Sequence, residues 1–82
     1  MPFVYILQCN DGTYYTGYAV DLEKRLQQHQ AGIACKYTRG RLPVSLVYQE
    51  QLESKSQAMS REAFIKKMNR KDKERLIGSA GT

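Results

Sequence analysis

Several residues that could carry out proton transfer and bind phosphate are concentrated near the start of this sequence. Residues 14–18 contain three of the six tyrosines, and Tyr5 lies in the apolar run before them. Arg25 and the only histidine, His29, follow at a spacing of four, which places both on the same side of a helix. These side chains are candidates for one half of an active site.

Ordinary structural roles compete with this interpretation. Tyrosines in strands usually pack half-buried against their neighbours, and Tyr5 and Tyr15 could do the same. His29 could be a surface or capping histidine, and Arg25 could be a solvated side chain with a carboxylate partner. Glu62, which lies among basic residues, is either such an ion-pair partner or a ligand for a hard divalent cation. The elements that position these residues therefore matter.

Apolar patterning and turn signals predict the element order β-β-α-β-α-α. Residues 3–9 and 13–18 are rich in aromatic and β-branched side chains, which is typical of strands. The Asn-Asp-Gly between them is a hairpin signal, and residues 44–49 form a third predicted strand. A three-stranded antiparallel sheet flanked by helices, an α+β fold, is the simplest architecture for this order.

Capping residues indicate where the helices begin. Asp21, Ser54 and Asn69 each precede a helical stretch, and side chains of these types cap helix N-termini. The three predicted helices cover residues 22–31, 55 to about 68, and 71–77. We expect a polar, basic loop over residues 33–43. We also expect a single domain over residues 1–78, followed by a flexible tail at residues 79–82.

The register of the first hairpin decides which tyrosines share a face of the sheet. A two-residue turn at Asp11-Gly12 pairs Tyr5 with Tyr18. A three-residue loop with Gly12 in the left-handed region instead places Tyr5 opposite Gly17 and makes Tyr15 its diagonal neighbour. Glycine fits both turns, so turn chemistry alone leaves the two registers open.

Charge and composition favour a polyanionic partner. The 82 residues include 13 Lys and Arg against 8 Asp and Glu, a net charge of +5, and the excess is clustered. Counterion release makes nucleic acid a natural partner for such clusters, although a solvated surface is the competing interpretation. Nothing resembles a signal peptide or a membrane span, so we expect a cytoplasmic protein whose two cysteines are reduced thiols.

Taken together, these residues resemble the GIY-YIG nuclease domain. Val4-Tyr5-Ile6 stands for the first signature and Tyr15-Thr16-Gly17 for the second. The segment from Asp21 to His29 resembles the helix that carries the arginine and histidine of the family. The likeness extends through Lys36-Tyr37-Thr38-Arg39-Gly40-Arg41 and Arg61-Glu62, and covers residues 2 to 77. It is closest to the small stand-alone bacterial branch, whose function is generally unassigned.

The resemblance implies a role for each matching residue. Both signature tyrosines line one face, which requires the three-residue loop. Glu62 would bind a single Mg²⁺ or Mn²⁺ ion, and Tyr5 or Tyr15 would help to activate a water while the other orients it. Arg25 would bind the phosphate, and His29 would assist proton transfer or position the water. We expect the basic residues and one rim tyrosine to contact nucleic acid, with DNA favoured: Lys36, Tyr37, Arg39, Arg41, Lys66, Lys67 and Arg70.

Two departures from the family pattern keep other functions open. Val4 stands where a small residue is usual, and Tyr18 stands where many active members place a lysine. We also expect no second DNA-binding domain. The basic C-terminal helix and the loop at residues 36–41 would then have to hold the substrate unaided and at low salt, or with a protein partner that supplies specificity. The alternatives are a nucleic-acid-binding module without turnover and a protein-interaction domain. Because tyrosine has an ordinary pKa of about 10, an active enzyme is expected to need Arg25 and the metal to lower it and to favour alkaline pH.

Overall fold

The structure, a computed structural model, describes residues 1–80 and contains one three-stranded antiparallel sheet. The strands are β1 (Phe3–Gln8), β2 (Tyr14–Ala19) and β3 (Ser45–Gln51), in the spatial order β2-β1-β3. The central strand β1 is buried at four successive positions, as expected for a strand covered on both faces. The predicted α+β fold with three antiparallel strands is confirmed.

Four helices cover the sheet: α1 (Leu22–Gln30), α2 (Lys36–Arg39), α3 (Lys55–Lys66) and α4 (Arg70–Ala80). The prediction of a loop throughout residues 33–43 is wrong, because the single turn α2 forms within it. The last helix also extends through Ala80, beyond the predicted end at residue 77. Residues 79 and 80 of the predicted tail are therefore helical, and residues 81–82 lie outside the described part of the chain.

The predicted caps are present at the three helix starts. The Asp21 carboxylate accepts a hydrogen bond from the Lys24 N–H at 3.0 Å. The Ser54 hydroxyl oxygen accepts one from the Gln57 N–H at 3.2 Å. The Asn69 side-chain oxygen plays the same part for α4. Each cap satisfies a backbone donor that the first helical turn leaves free, which is why local sequence located these starts.

The first hairpin has the three-residue loop and not the two-residue turn. Gly12 has a φ of +85°, a conformation that glycine adopts without steric cost. Tyr5 lies opposite Gly17 and Leu7 lies opposite Tyr15. Tyr5 and Tyr15 therefore project from the same face of the sheet, as the resemblance implies.

The sheet separates two clusters of packed side chains. On one face Tyr5 and Leu7 pack with Leu22 and Leu26 of α1. On the other face Val4, Ile6, Tyr14 and Tyr18 pack with apolar residues of α3 and α4. Within residues 1–80, no helix has the length and apolar character needed to cross a membrane. The candidate catalytic tyrosines thus belong to the α1 face.

Candidate active site

A buried hydrogen-bond chain connects β1, α1 and α2. The Tyr5 hydroxyl lies 2.9 Å from Nε2 of His29, and Nδ1 of the same ring lies 2.9 Å from Oγ1 of Thr38. Tyr5 is 1% exposed, and His29 and Thr38 are 0% exposed. His29 is therefore neither a surface nor a capping residue, since both of its ring nitrogens are committed to buried partners.

Tyr15 packs beside this chain and connects it to the surface. Its ring centroid lies 6.4 Å from that of Tyr5 and 5.3 Å from that of His29. On its outer side, Tyr37 of α2 lies 5.7 Å away at a shallow angle of 30°. Tyr37 is 38% exposed, so the aromatic cluster runs from the buried Tyr5–His29 pair to solvent.

Gly17 allows the hydroxyl end of the Tyr5 side chain to lie close against β2. A Cβ atom built at Gly17 would lie 2.6 Å from the Tyr5 hydroxyl oxygen and 3.1 Å from Cε2 of Tyr15. Any larger residue at this position would push against both rings. The space that the register creates beside Gly17 is thus filled by the Tyr5 side chain itself.

The environment moves the pKa values of Tyr5 and His29 in opposite directions. Burial, reinforced by neighbouring Tyr15, raises the pKa of Tyr5 above its ordinary value, although Arg25 acts the other way. Burial also raises the pKa of Tyr15 to about 12. Burial and the Arg25 charge lower the pKa of His29. The expected lowering of the tyrosine pKa by Arg25 is therefore outweighed, and both members of the Tyr5–His29 pair are neutral at neutral pH.

Arg25 keeps its guanidinium available. Within residues 1–80 it forms no ion pair with Asp21 or with Glu62. It lines a polar groove of about 270 Å³ beside the end of β2, together with Lys24 and Gln28. Lys24 was not among the predicted site residues. Its position beside Arg25 adds a second cation to this groove.

Glu62 approaches the tyrosines from the opposite layer. Its helix, α3, packs on the other face of the sheet and contacts the edge strand β2. Its charge nevertheless raises the pKa values of both Tyr5 and Tyr15, as a smaller contribution than burial. Its side chain is 22% exposed and lies 3.7 Å from the Lys66 ammonium group.

The residues around Glu62 fit a divalent cation only as a largely hydrated ion. No group of three His, Cys, Asp or Glu side chains in residues 1–80 could hold a metal between them. A single carboxylate, with the other positions taken by water and substrate oxygens, suits a hard cation that retains several waters, such as Mg²⁺. The predicted metal role of Glu62 is compatible with this donor set.

Of the six predicted nucleic-acid-binding cations, Lys66 lies 3.7 Å from the Glu62 carboxylate, and the other five divide into two groups. Arg41 is held by the Asp11 carboxylate at 3.0 Å and lies over the Tyr37 ring at 4.2 Å. Arg70 donates to the Gly12 carbonyl oxygen at 2.8 Å and lies over a tyrosine ring. Both arginines thus clamp the tip of the β1–β2 hairpin. The other group consists of exposed side chains with no ion pair inside residues 1–80: Lys36, Arg39 and Lys67.

Two residues of the site were not predicted as functional. Thr38 completes the hydrogen-bond chain, and the Cys35 sulfur lies 3.3 Å from the Thr38 hydroxyl oxygen. Cys9 and Cys35 are free thiols, as expected. A threonine in a basic stretch carries no local pattern that marks it as buried. The only available signal was its place in the segment that resembles the GIY-YIG domain.

Comparison with known proteins agrees with the fold and identifies the family. The model of the GIY-YIG catalytic domain matches residues 1–75, and the chain belongs to this family. It is 53% identical over 77 residues to a UPF0213 protein of Halobacterium salinarum, covering 94% of this chain and 100% of that relative. A UPF0213 protein of Clostridium perfringens is 53% identical over 79 residues, with 96% and 85% covered.

A solved structure supports the same assignment. The solution NMR structure of the UPF0213 protein from Bacillus halodurans has a TM-score of 0.65 and 44% identity to this chain. The comparison covers 99% of this chain and 87% of that one. The resemblance found in the sequence is therefore confirmed at the level of family and fold, with similar small proteins in both archaea and bacteria.

Proposed function

We propose that the protein is a metal-dependent endonuclease that hydrolyses phosphodiester bonds in DNA. The observation that carries the proposal is the 2.9 Å hydrogen bond between the Tyr5 hydroxyl and Nε2 of the fully buried His29. This hydrogen bond joins a proton donor to a proton acceptor. The charge of Arg25, which has no ion pair within residues 1–80, acts on both groups. Hydrolysis of a phosphodiester requires both a path for the water proton and a positive charge for the phosphate.

The proton path begins at Tyr5 and ends at His29. As the water oxygen attacks phosphorus, one water proton passes to the Tyr5 oxygen while the Tyr5 hydroxyl proton passes to Nε2 of His29. No free tyrosinate is needed, which matters because burial raises the pKa of Tyr5 above its ordinary value. His29 is available as the acceptor since burial keeps it neutral, and Tyr15 packs beside both rings to orient the water.

Positive charge offsets the charge on the reacting phosphate. Arg25 would contact the nonbridging oxygens, and Glu62 would hold the divalent cation. When bound, Mg²⁺ or Mn²⁺ neutralises phosphate charge and stabilises the leaving 3′ oxygen. Removing one such electrostatic partner from a phosphoryl or acyl site commonly lowers the rate by a factor of about 10² to 10³.

The exposed cations beside the tyrosine cluster bind the nucleic acid. Lys36 and Arg39 lie on the same helix as Tyr37, whose ring extends the aromatic cluster to solvent. Phosphate contacts by lysine and arginine give affinity that falls as salt increases. A protein partner would supply the specificity that these few contacts lack.

A nicking assay with matched tyrosine variants tests the proposal. Supercoiled and branched DNA are incubated with the protein and Mg²⁺, Mn²⁺ or EDTA. We expect metal-dependent nicking that Tyr5→Phe reduces by about 10²- to 10⁴-fold, the usual contribution of a proton-transfer group. Tyr14→Phe is the control, because Tyr14 loses the same atom on the opposite face of the sheet.

Two results would contradict this function. Equal loss in Tyr5→Phe and Tyr14→Phe would mean that the hydroxyl of Tyr5 has no special role. DNA binding without nicking, unchanged in Glu62→Ala, would leave a nucleic-acid-binding module on the same scaffold. A protein that neither nicks nor binds DNA and co-purifies with a partner would instead favour an interaction domain.

A further inference from the structure

The hydrogen-bond chain through His29 is satisfied by one tautomer only. Neutral histidine carries its proton on either Nδ1 or Nε2, and the partner of one nitrogen determines the state of the other. If Nε2 carried the proton, it would donate to the Tyr5 oxygen. The Tyr5 hydroxyl proton would then have no acceptor within residues 1–80, because His29 is its only hydrogen-bond partner there.

With the proton on Nδ1, every donor in the chain has an acceptor. The Tyr5 hydroxyl donates to Nε2, and Nδ1–H donates to the Thr38 oxygen at 2.9 Å. The Thr38 hydroxyl then donates to the Cys35 sulfur at 3.3 Å. Because a buried donor without a partner costs its full desolvation free energy, the fully satisfied arrangement is the stable one.

The sulfur is suited to the end of this chain. Burial alone would raise the pKa of the Cys35 thiol, but hydrogen bonds from the side chain and backbone of Thr38 bring it below its ordinary value. A sulfur that accepts in this way leaves the Thr38 oxygen free to receive the proton of Nδ1. Donor counting therefore gives one direction for all three hydrogen bonds, and the three distances are compatible with it.

We propose that Thr38 is a positioning residue that fixes His29 as its Nδ1–H tautomer and so keeps Nε2 unprotonated, ready to accept the Tyr5 proton. Thr38 is 0% exposed and touches no reacting atom. Its catalytic consequence rests on the proposed nuclease function, whereas the tautomer itself does not. The assignment extends the site by one residue, from α2.

Nitrogen NMR of the wild-type protein tests the tautomer directly. His29 is the only histidine, so ¹⁵N-labelled imidazole signals need no further assignment. We expect a protonated Nδ1, an unprotonated Nε2, and a contact between the Nδ1 proton and the Thr38 methyl group. A wild-type protein with Nε2–H would overturn the proposal even if the enzyme cleaves DNA.

Matched variants test the role of the threonine. Thr38→Val keeps the shape and removes the hydroxyl, whereas Thr38→Ser keeps the hydroxyl. We expect Thr38→Val to lose the Nδ1–H signal and to lower kcat by about 10- to 100-fold with little change in KM, the usual effect of losing an outer hydrogen-bond partner. We expect Thr38→Ser to keep the Nδ1–H signal and a kcat close to that of the wild type. A Thr38→Val protein that retains the Nδ1–H tautomer would contradict the proposal.

The outcomes separate this proposal from the nuclease function. If wild-type protein shows the Nδ1–H tautomer and does not nick DNA, the positioning role stands and the proposed function fails. If it nicks DNA and carries Nε2–H, the proposed function stands and the positioning role of Thr38 fails. Should Thr38→Val not fold, the wild-type spectrum and the Thr38→Ser kinetics still decide, because loss of activity in a folded Thr38→Ser protein would contradict a role for the hydroxyl.

Discussion

At the scale of single residues, the proposed chemistry depends on two buried groups whose pKa values move apart. Burial keeps Tyr5 protonated and His29 unprotonated, so each is in the state that its role requires before substrate arrives. Opposite pKa shifts in neighbouring groups commonly mark an acid–base pair. The alkaline-leaning activity expected for a tyrosinate base does not follow from this arrangement.

The pH dependence of the rate distinguishes the two possibilities. If His29 is the proton acceptor, the logarithm of kcat/KM rises by about one unit per pH unit below the His29 pKa, which lies below its ordinary value. Above that pKa the rate reaches a plateau at neutral pH, because His29 is already unprotonated. Initial rates of nicking at constant ionic strength measure this profile. A rate that continues to rise well above neutral pH would instead indicate a tyrosinate base.

At the scale of elements, the close packing of Tyr5 against Gly17 restricts which residues strand β2 can hold at that position. A Cβ at Gly17 would overlap the Tyr5 hydroxyl, since the two atoms would be 2.6 Å apart. The strand is also an edge of the sheet, which lets Glu62 influence the tyrosines from α3 on the other face. Gly17 therefore connects the register of the hairpin to the position of the catalytic hydroxyl.

Gly17→Ala is expected to lower the free energy of unfolding by about 1–3 kcal/mol, the usual cost of an extra methyl group in a packed core. Nicking activity should fall as well, because Tyr5 must shift away from β2. Urea unfolding followed by circular dichroism measures the loss. Gly78→Ala is the control: it lies in α4 with nothing within 4 Å of the new methyl, and should be neutral or stabilising by up to about 1 kcal/mol. An unchanged unfolding midpoint for Gly17→Ala would argue against the close contact.

At the scale of the whole molecule, the net charge of +5 is not uniformly available to a nucleic acid. Arg41 and Arg70 come from distant parts of the chain and are both used at the hairpin tip. Lys36 and Arg39 are exposed beside the aromatic cluster. Basic residues of similar appearance in the sequence thus divide into those held at the hairpin tip and those that are exposed and free to bind phosphate.

The salt dependence of DNA binding should reveal this division. We expect Lys36→Ala and Arg39→Ala each to reduce the slope of log Kd against log salt by about one, as for one lost phosphate contact. Lys55→Ala is the matched control, since Lys55 begins α3 at the end of the sheet away from the hairpin tip. Fluorescence anisotropy with a labelled duplex measures the slopes. Equal slopes for all three variants and the wild type would contradict a binding role for α2.

Arg41→Ala should act differently from these variants. Its ion pair with Asp11 is partly exposed and adds little stability by itself, about 0–1 kcal/mol. Its contact with the Tyr37 ring and carbonyl, however, holds α2 against the hairpin. We expect weaker DNA binding, because Tyr37 is displaced. The free energy of unfolding in urea should stay within about 1 kcal/mol of the wild-type value. A large loss of stability would show that the clamp supports the whole fold.

Much of the architecture follows from local patterns along the chain. Strand propensity, the caps at Asp21, Ser54 and Asn69, and the hairpin signal at Gly12 act over a few residues, so they predict element order and most helix starts. The single turn α2 was missed because four residues are too few to show a helical period. The predicted last helix ends at residue 77, short of Ala80, because a glycine follows at residue 78 and glycine usually weakens a helix.

The register of the first hairpin and the protonation states of the site residues depend on contacts between residues that are far apart in the sequence. Turn chemistry left two registers open, and only packing of Tyr5 against Gly17 and Tyr15 distinguishes them physically. The complete burial of His29, its bond to Thr38 and the opposite pKa shifts depend on α1, α2 and β1 meeting in three dimensions. Local sequence identifies the candidate reactive side chains. Their protonation states depend on burial and hydrogen-bond partners, which exist only in the folded chain.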